Sequence, residues 1–221
     1  DIFDEFIVLD ANSDYIDLRN KNQINLSSNN EPLLLGKYRL RVADSHELRF
    51  YPFIGFNEPG TYEIRGEVAG DPLSIPSWNG SNFAELYYDL DSNIRTETLS
   101  FTKPLIDYSS RIISNDELVL NITKAPVDFK AFENEGVLVN GMRSYDVAGW
   151  RGEKNVAIKG AVNKQAKLIF EMGKDDKKTI TNGETWTIGS GYELIINAID
   201  ARASPRQAWF TLRKDGAIID E

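Results

Sequence analysis

The clearest pattern along the chain is a period of two. From Lys37 to Val42 apolar and basic residues alternate strictly, with Tyr38, Leu40 and Val42 on one side and Lys37, Arg39 and Arg41 on the other. Successive side chains of a strand point to opposite faces of a sheet, so this spacing predicts an antiparallel strand with one wet face. Glu47-Leu48-Arg49-Phe50 repeats the alternation after Ala43-Asp44-Ser45-His46, which predicts a hairpin. Tyr62, Ile64 and Val68 continue it, and Leu168, Phe170 and Met172 alternate with Lys167 and Glu171. The segment from Tyr192 to Ile199 is longer and more apolar, as a central strand is. Ala208, Phe210 and Leu212 then alternate with Gln207, Thr211 and Arg213.

Turn chemistry points the same way. Asn140-Gly141, Asn182-Gly183 and Asp215-Gly216 lie between β-like runs and supply the positive φ that tight hairpins require. Turn signals recur about every 8 to 12 residues, the spacing of a sandwich or barrel. No segment predicts a helix longer than two turns; Val127 to Asn134 reads as one short helical turn, and Lys164 to Met172 fits either period. Pro and Gly in Asn57-Glu58-Pro59-Gly60 interrupt two β segments. The expected fold is all-β, an antiparallel β-sandwich over residues 61–221 preceded by a smaller β region over residues 1–60.

Composition narrows the function classes. With 221 residues and 41% hydrophobic content, the chain can bury a sizeable core. Its 25 basic and 34 acidic residues leave a charge of −9, which repels phosphate backbones and argues against a nucleic-acid partner. There is no cysteine, so disulfides, thiolate metal sites and a Cys nucleophile are excluded. Apolar runs such as Leu33-Leu34-Leu35 fall far short of the ~20 residues that span a bilayer, so no membrane segment is expected. The chain starts at Asp1 without a basic, apolar leader, which reads as a processed or excised part of a longer product.

Candidate chemistry is sparse. The single histidine, His46, sits with Asp44, Ser45 and Glu47 in one polar turn, whereas triad partners converge from distant positions. Carboxylate pairs for glycosidase work cannot be singled out among 34 acidic residues. Asp89, Asp91 and Asn93 have the spacing of a calcium loop, but the glycine of its sixth place is missing and Ser100 stands at the twelfth. Asp175-Asp176, flanked by lysines, reads as a charged hairpin tip. Trp78, Trp150, Trp186 and Trp209 read as core residues, with a sugar-stacking platform as the rival. Asn25-Leu26-Ser27, Asn79-Gly80-Ser81 and Asn121-Ile122-Thr123 are N-glycosylation sequons for a chain that crosses a glycosylating membrane. Catalytic, cofactor and metal residues are expected to be absent.

Longer motifs carry a family resemblance. These are Thr61-Tyr-Glu-Ile-Arg-Gly-Glu-Val68, Trp78, Asn82-Phe-Ala-Glu-Leu-Tyr-Tyr-Asp-Leu-Asp91 and Thr96-Glu97-Thr98-Leu99. Val147-Ala148-Gly149-Trp150, Glu153 to Ile158, Asp175 to Thr179, Gly183 to Trp186, Leu212 to Gly216 and Ile219-Asp220 follow in order. Together they resemble the duplicated S-layer domain of methanosarcinal archaea. The resemblance implies β-sandwich modules, two in each family unit, assembled edge to edge into a porous layer over the cell, with no catalytic residues. Residues 1–60, especially Arg41 to Asp44 and Leu48 to Phe53, resemble the closing strands of the second sandwich, whose missing strands another copy or more of the same polypeptide would supply. The expected protein is therefore a structural, extracellular, self-assembling coat subunit, with surface glycans as further partners. The rival is a carbohydrate-binding or calcium-dependent adhesive β-sandwich.

Overall fold

The computed structural model describes residues 5–28, 30–130, 144–176 and 178–220. The elements among them are strands and short 3₁₀ turns such as Leu105–Tyr108, with a single helical residue at Glu5. A first compact unit takes in residues 5–128 and 144–168, and a second is built from residues 129–130 and 169–220.

The first unit opens with β1 (Phe6–Ala11), β2 (Tyr15–Asn20), β3 (Ile24–Asn25), β4 (Leu33–Leu34), β5 (Tyr38–Val42), β6 (Phe50–Phe56) and β7 (Tyr62–Arg65). It continues with β8 (Ser77–Asn79), β9 (Tyr88–Asp89), β10 (Ile94–Arg95), β11 (Glu97–Phe101), β12 (Ile112–Ile113) and β13 (Leu118–Thr123). It closes with β14 (Ala125–Asp128), β15 (Ser144–Trp150), β16 (Glu153–Ala157) and β17 (Gln165–Lys167). The second unit holds β18 (Thr185–Gly189), β19 (Tyr192–Asp200), β20 (Gln207–Lys214) and β21 (Ala217–Asp220).

Two sheets form the sandwich of the first unit, one ordered β1-β2-β13-β11-β8 and the other β4-β5-β6-β7. All their pairings are antiparallel, and the Asn57–Gly60 interruption lies between the paired strands β6 and β7. Tyr38, Leu40 and Val42 are buried, as the alternation in β5 predicts. They share one core with Leu18, Leu99, Phe101, Leu118, Leu120 and Ile122 of the facing sheet. Phe50 on β6 stacks on Phe101 of β11 with ring centroids 5.3 Å apart, and Trp78 of β8 lies 5.9 Å from Phe50. Each such side chain contributes about 1.5–3 kcal/mol by leaving water, which holds the two sheets face to face.

The outer face of the smaller sheet is sealed differently. Arg41 donates to Glu31 at 2.8 Å and to Glu63, and Arg65 donates to Glu63 at 3.1 Å. The Arg41 guanidinium lies 4.2 Å over the ring of Phe53, which is buried although it faces outward beside the arginines. Basic side chains on the predicted wet side of β5 thus roof an aromatic ring.

A third sheet, ordered β14-β15-β16-β17, buries Val147 and Ala148. Its central hairpin turns at Arg151-Gly152, both with positive φ, in the conformation of a two-residue type I′ turn. In the second unit Ser190-Gly191 and Asp215-Gly216 make turns of the same kind between β18 and β19 and between β20 and β21.

Several expectations need correction. The hairpin after β5 exists, but its second strand starts at Phe50, because Arg111 donates to the carbonyls of Ala43 and Ser45 and holds that stretch as a loop. Residues 168–172 alternate without becoming a strand; β17 ends at Lys167. Val127 and Asp128 belong to β14, since β15 offers them a ladder partner, so a helical turn cannot begin before Phe129, and residues 131–134 of the expected turn lie outside the described residues. Asn182-Gly183 precedes β18 and follows no strand directly, while Asn140-Gly141 lies outside the described residues. In β20 the buried residue is Thr211, bonded to Asn197 at 2.7 Å, and Phe210 is exposed.

Phe50→Ala should therefore lower the unfolding free energy by about 3–5 kcal/mol in chemical denaturation, and Tyr62→Ala, on an exposed edge strand, by about 1 kcal/mol or less. Equal losses would contradict the placement of the core.

Candidate functional site

The residues that could carry chemistry are scattered. His46 is exposed in the loop between β5 and β6. Asp89 accepts the Ser92 N–H at 3.0 Å, and the Asn93 amide oxygen takes bonds from Tyr88 at 3.0 Å and Arg95 at 2.8 Å. These oxygens shape the β9–β10 turn, and no group of three or more His, Cys, Asp or Glu placed to hold a metal occurs among the described residues. The four tryptophans form no shared platform. Trp78 is buried with its indole N–H on the Glu67 carbonyl at 2.8 Å, and Trp150 packs half-buried against the core. Trp186 meets Phe170 edge to face at 5.7 Å, and Trp209 is exposed on β20.

The sequons differ in setting. Asn25 is exposed on β3. The Asn79 side-chain oxygen is held by the Ser81 N–H at 2.9 Å and hydroxyl at 2.6 Å. Asn121 is half-buried on β13, between β2 and β11.

The most constrained polar group is one that sequence reading passes over. Glu97 begins β11 and points inward with Leu99 and Phe101, and it is fully buried. Its carboxylate accepts N–H bonds from Tyr87 at 2.8 Å, Arg151 at 2.5 Å and Gly152 at 2.8 Å. Thr96, also buried, accepts the Gly149 N–H on its hydroxyl at 2.6 Å. Two adjacent side chains of the sandwich thereby take up the backbone donors of the β15–β16 hairpin. Gly149 is required for this approach, since a Cβ there would stand 2.3 Å from Tyr87 Cβ and 2.9 Å from Glu97 Cγ. Nearby, Lys37 pairs with Glu85 at 2.9 Å and donates to the Arg151 carbonyl at 2.8 Å. The signal for Glu97 lay in the alternation itself, which puts an acid at a core position of Glu97-Thr98-Leu99-Ser100-Phe101.

Burial pushes the Glu97 carboxyl above its ordinary range, and the three N–H donors and the charge of Lys37 only partly offset that. A raised folded pKa means the folded chain holds this proton more tightly than the unfolded one. Its stabilising contribution is full below the ordinary value of 4.5 and is lost as the pH rises through the folded value.

Two measurements check this junction. Glu97→Ala takes the acceptor from one buried and two part-buried N–H groups and should cost about 3 kcal/mol, against a smaller loss for Glu97→Gln, which keeps one acceptor. The stability of the unaltered chain relative to Glu97→Gln should shrink as the pH rises from below 4.5. A difference that grows with pH would contradict the raised value.

No described feature gathers the groups of a catalytic centre; what the first unit displays is a rigid junction and a set of sheet edges. A family model described as S-layer protein matches residues 68–221. The chain is 34% identical over 224 residues to the Major S-layer protein of Methanosarcina barkeri and 34% identical to that of Methanosarcina acetivorans. It is 32% identical over 223 residues to the Major S-layer protein of Methanosarcina mazei. Each match covers 99% of this chain, which spans 31% of the length of these relatives. On a family match that takes in well over half of its residues, this chain belongs to the S-layer protein family.

Proposed function

We propose that this chain is a structural module of a cell-surface layer, binding further copies into a protective, permeable coat outside the cell and catalysing no reaction. The observation that carries this reading is the match to Major S-layer proteins along nearly the whole chain. The physical character fits. A coat subunit needs sheets that keep their shape under load, and the sandwich core with its Glu97 junction supplies that. The acidic balance of −9 favours solubility before assembly and biases the coat toward passing cations.

Surface glycans attach first at Asn25, because its side chain is exposed while Asn79 is tied to Ser81 and Asn121 is half-buried in a central strand.

Electron microscopy of the purified chain and of the native envelope tests the coat reading: ordered sheets or tubes are expected, and dispersed particles in both would overturn it. Peptide mass spectrometry of the envelope protein should find glycan on the Asn25 peptide. Occupied Asn121 beside bare Asn25 would reverse the order of the sites.

A further inference from the structure

An exposed sheet edge offers unpaired N–H and C=O groups to any other strand, and folded proteins blunt such edges with charge, proline or brevity. Most edges of the first unit are blunted. β7 carries Glu63 and Arg65, β14 contains Pro126, and β17 ends at Lys167, bonded to Glu153 at 2.8 Å. β4 and β8 have only two and three residues.

β1 is the least blunted of these edges, with Asp10 as its one charge. It is six residues long, Phe-Ile-Val-Leu-Asp-Ala, with no proline and no basic side chain, and its one irregularity is a bulge between Val8 and Asp10. Ile7, Val8 and Leu9 are exposed by 38%, 47% and 53%. Such a run normally sits against something.

Charge says what that is. Residues 1–18 contain six carboxylates and no Lys or Arg, while residues 201–214 contain four Lys or Arg and no carboxylate. In the acidic stretch Asp14 faces Lys124 at 3.1 Å and Asp17 pairs with Arg19 at 2.9 Å, while Asp10 accepts from Asn12 at 3.2 Å and from Tyr15 and meets no cation among the described residues. In the basic stretch Lys214 is paired with Asp215 at 3.5 Å, whereas Arg202 and Arg206 are exposed and have no ion pair among the described residues. Beside them Trp209 and Phe210 are exposed by 50% and 45%. One chain thus carries an acidic apolar edge and a basic aromatic patch.

We propose that β1 of one chain docks on the Arg202 to Phe210 stretch of a second copy. β21 pairs only with Leu212 to Lys214, so the other edge of β20 at residues 207–210 is open among the described residues. β1 lies along it with Ile7 and Leu9 on one face and Val8 on the other, beside Trp209 and Phe210, which point to opposite faces, while Asp10 faces Arg206. The two surfaces differ, so the contact is head to tail, and a contact of that kind extends indefinitely unless its rotation closes a ring. Open-ended growth is what a coat requires, and in this the inference rests on the coat reading above.

Analytical ultracentrifugation of the 221-residue chain over rising concentration tests the contact. The average mass should rise with concentration and fall with added salt. Val8→Lys, Asp10→Lys and Arg206→Glu, each shown to be folded by near-ultraviolet circular dichroism, should need roughly tenfold higher concentration to assemble. Mixing Asp10→Lys with Arg206→Glu should restore assembly, because every junction between the two variants again joins opposite charges. Loss of folding cannot mimic that rescue. Variants that assemble like the unaltered chain, or a mixture that stays as weak as its parts, overturn the contact. A monomeric unaltered chain beside ordered layers on the native envelope overturns the contact alone, whereas dispersed particles in both overturn the coat reading with it.

Discussion

The buried carboxylate of Glu97 is the constraint on which the architecture of the first unit depends. A tight hairpin such as β15–β16 leaves backbone N–H groups at its turn, and burying them unpaired costs about 1–3 kcal/mol each. Glu97 answers two of them and the Tyr87 N–H as well, while Thr96 answers Gly149. The third sheet can therefore lie against β11 and β13 without leaving polar backbone stranded. Every neighbour is shaped to permit it, including a glycine at 149 and positive φ at Arg151 and Gly152.

A unit stiffened from within can leave parts of its surface unsatisfied. On the outer face of the smaller sheet Arg41, Glu63 and Arg65 close over Phe53 and Tyr51, so that surface has little left to offer a partner. β1 of the first unit and the Trp209–Phe210 region of the second have no such cover. This division between sealed and open surface suits the proposed head-to-tail contact.

Much of this was legible from the period-two pattern. β5, β19 and the Asp215-Gly216 turn follow directly from alternation and turn chemistry, because their local signals agree with the sheet that forms around them. Where the reading failed, a partner distant in sequence decided the outcome. The bulge between Ile196 and Ala198 leaves Asn197 free to bond Thr211, so β20 buries a threonine while the more apolar Phe210 is exposed. Arg111, more than sixty residues away, holds the loop before Phe50. Leu168 to Met172 has the right alternation but no strand to pair with among the described residues. Glu97 stood in plain view at an inward position, yet nothing local reveals that three N–H donors wait there.

Residue-resolved hydrogen exchange, run on the dispersed chain and on its assembled form, tests the central claim most directly, namely that a rigid interior is joined to its copies through an open edge. Slow exchange is expected at Tyr87, Arg151 and Gly152 in both forms, and β1 amides not bonded to β2 should exchange fast when dispersed and slowly once assembled. Fast exchange at the Glu97 donors, or β1 amides equally protected in both forms, would contradict it.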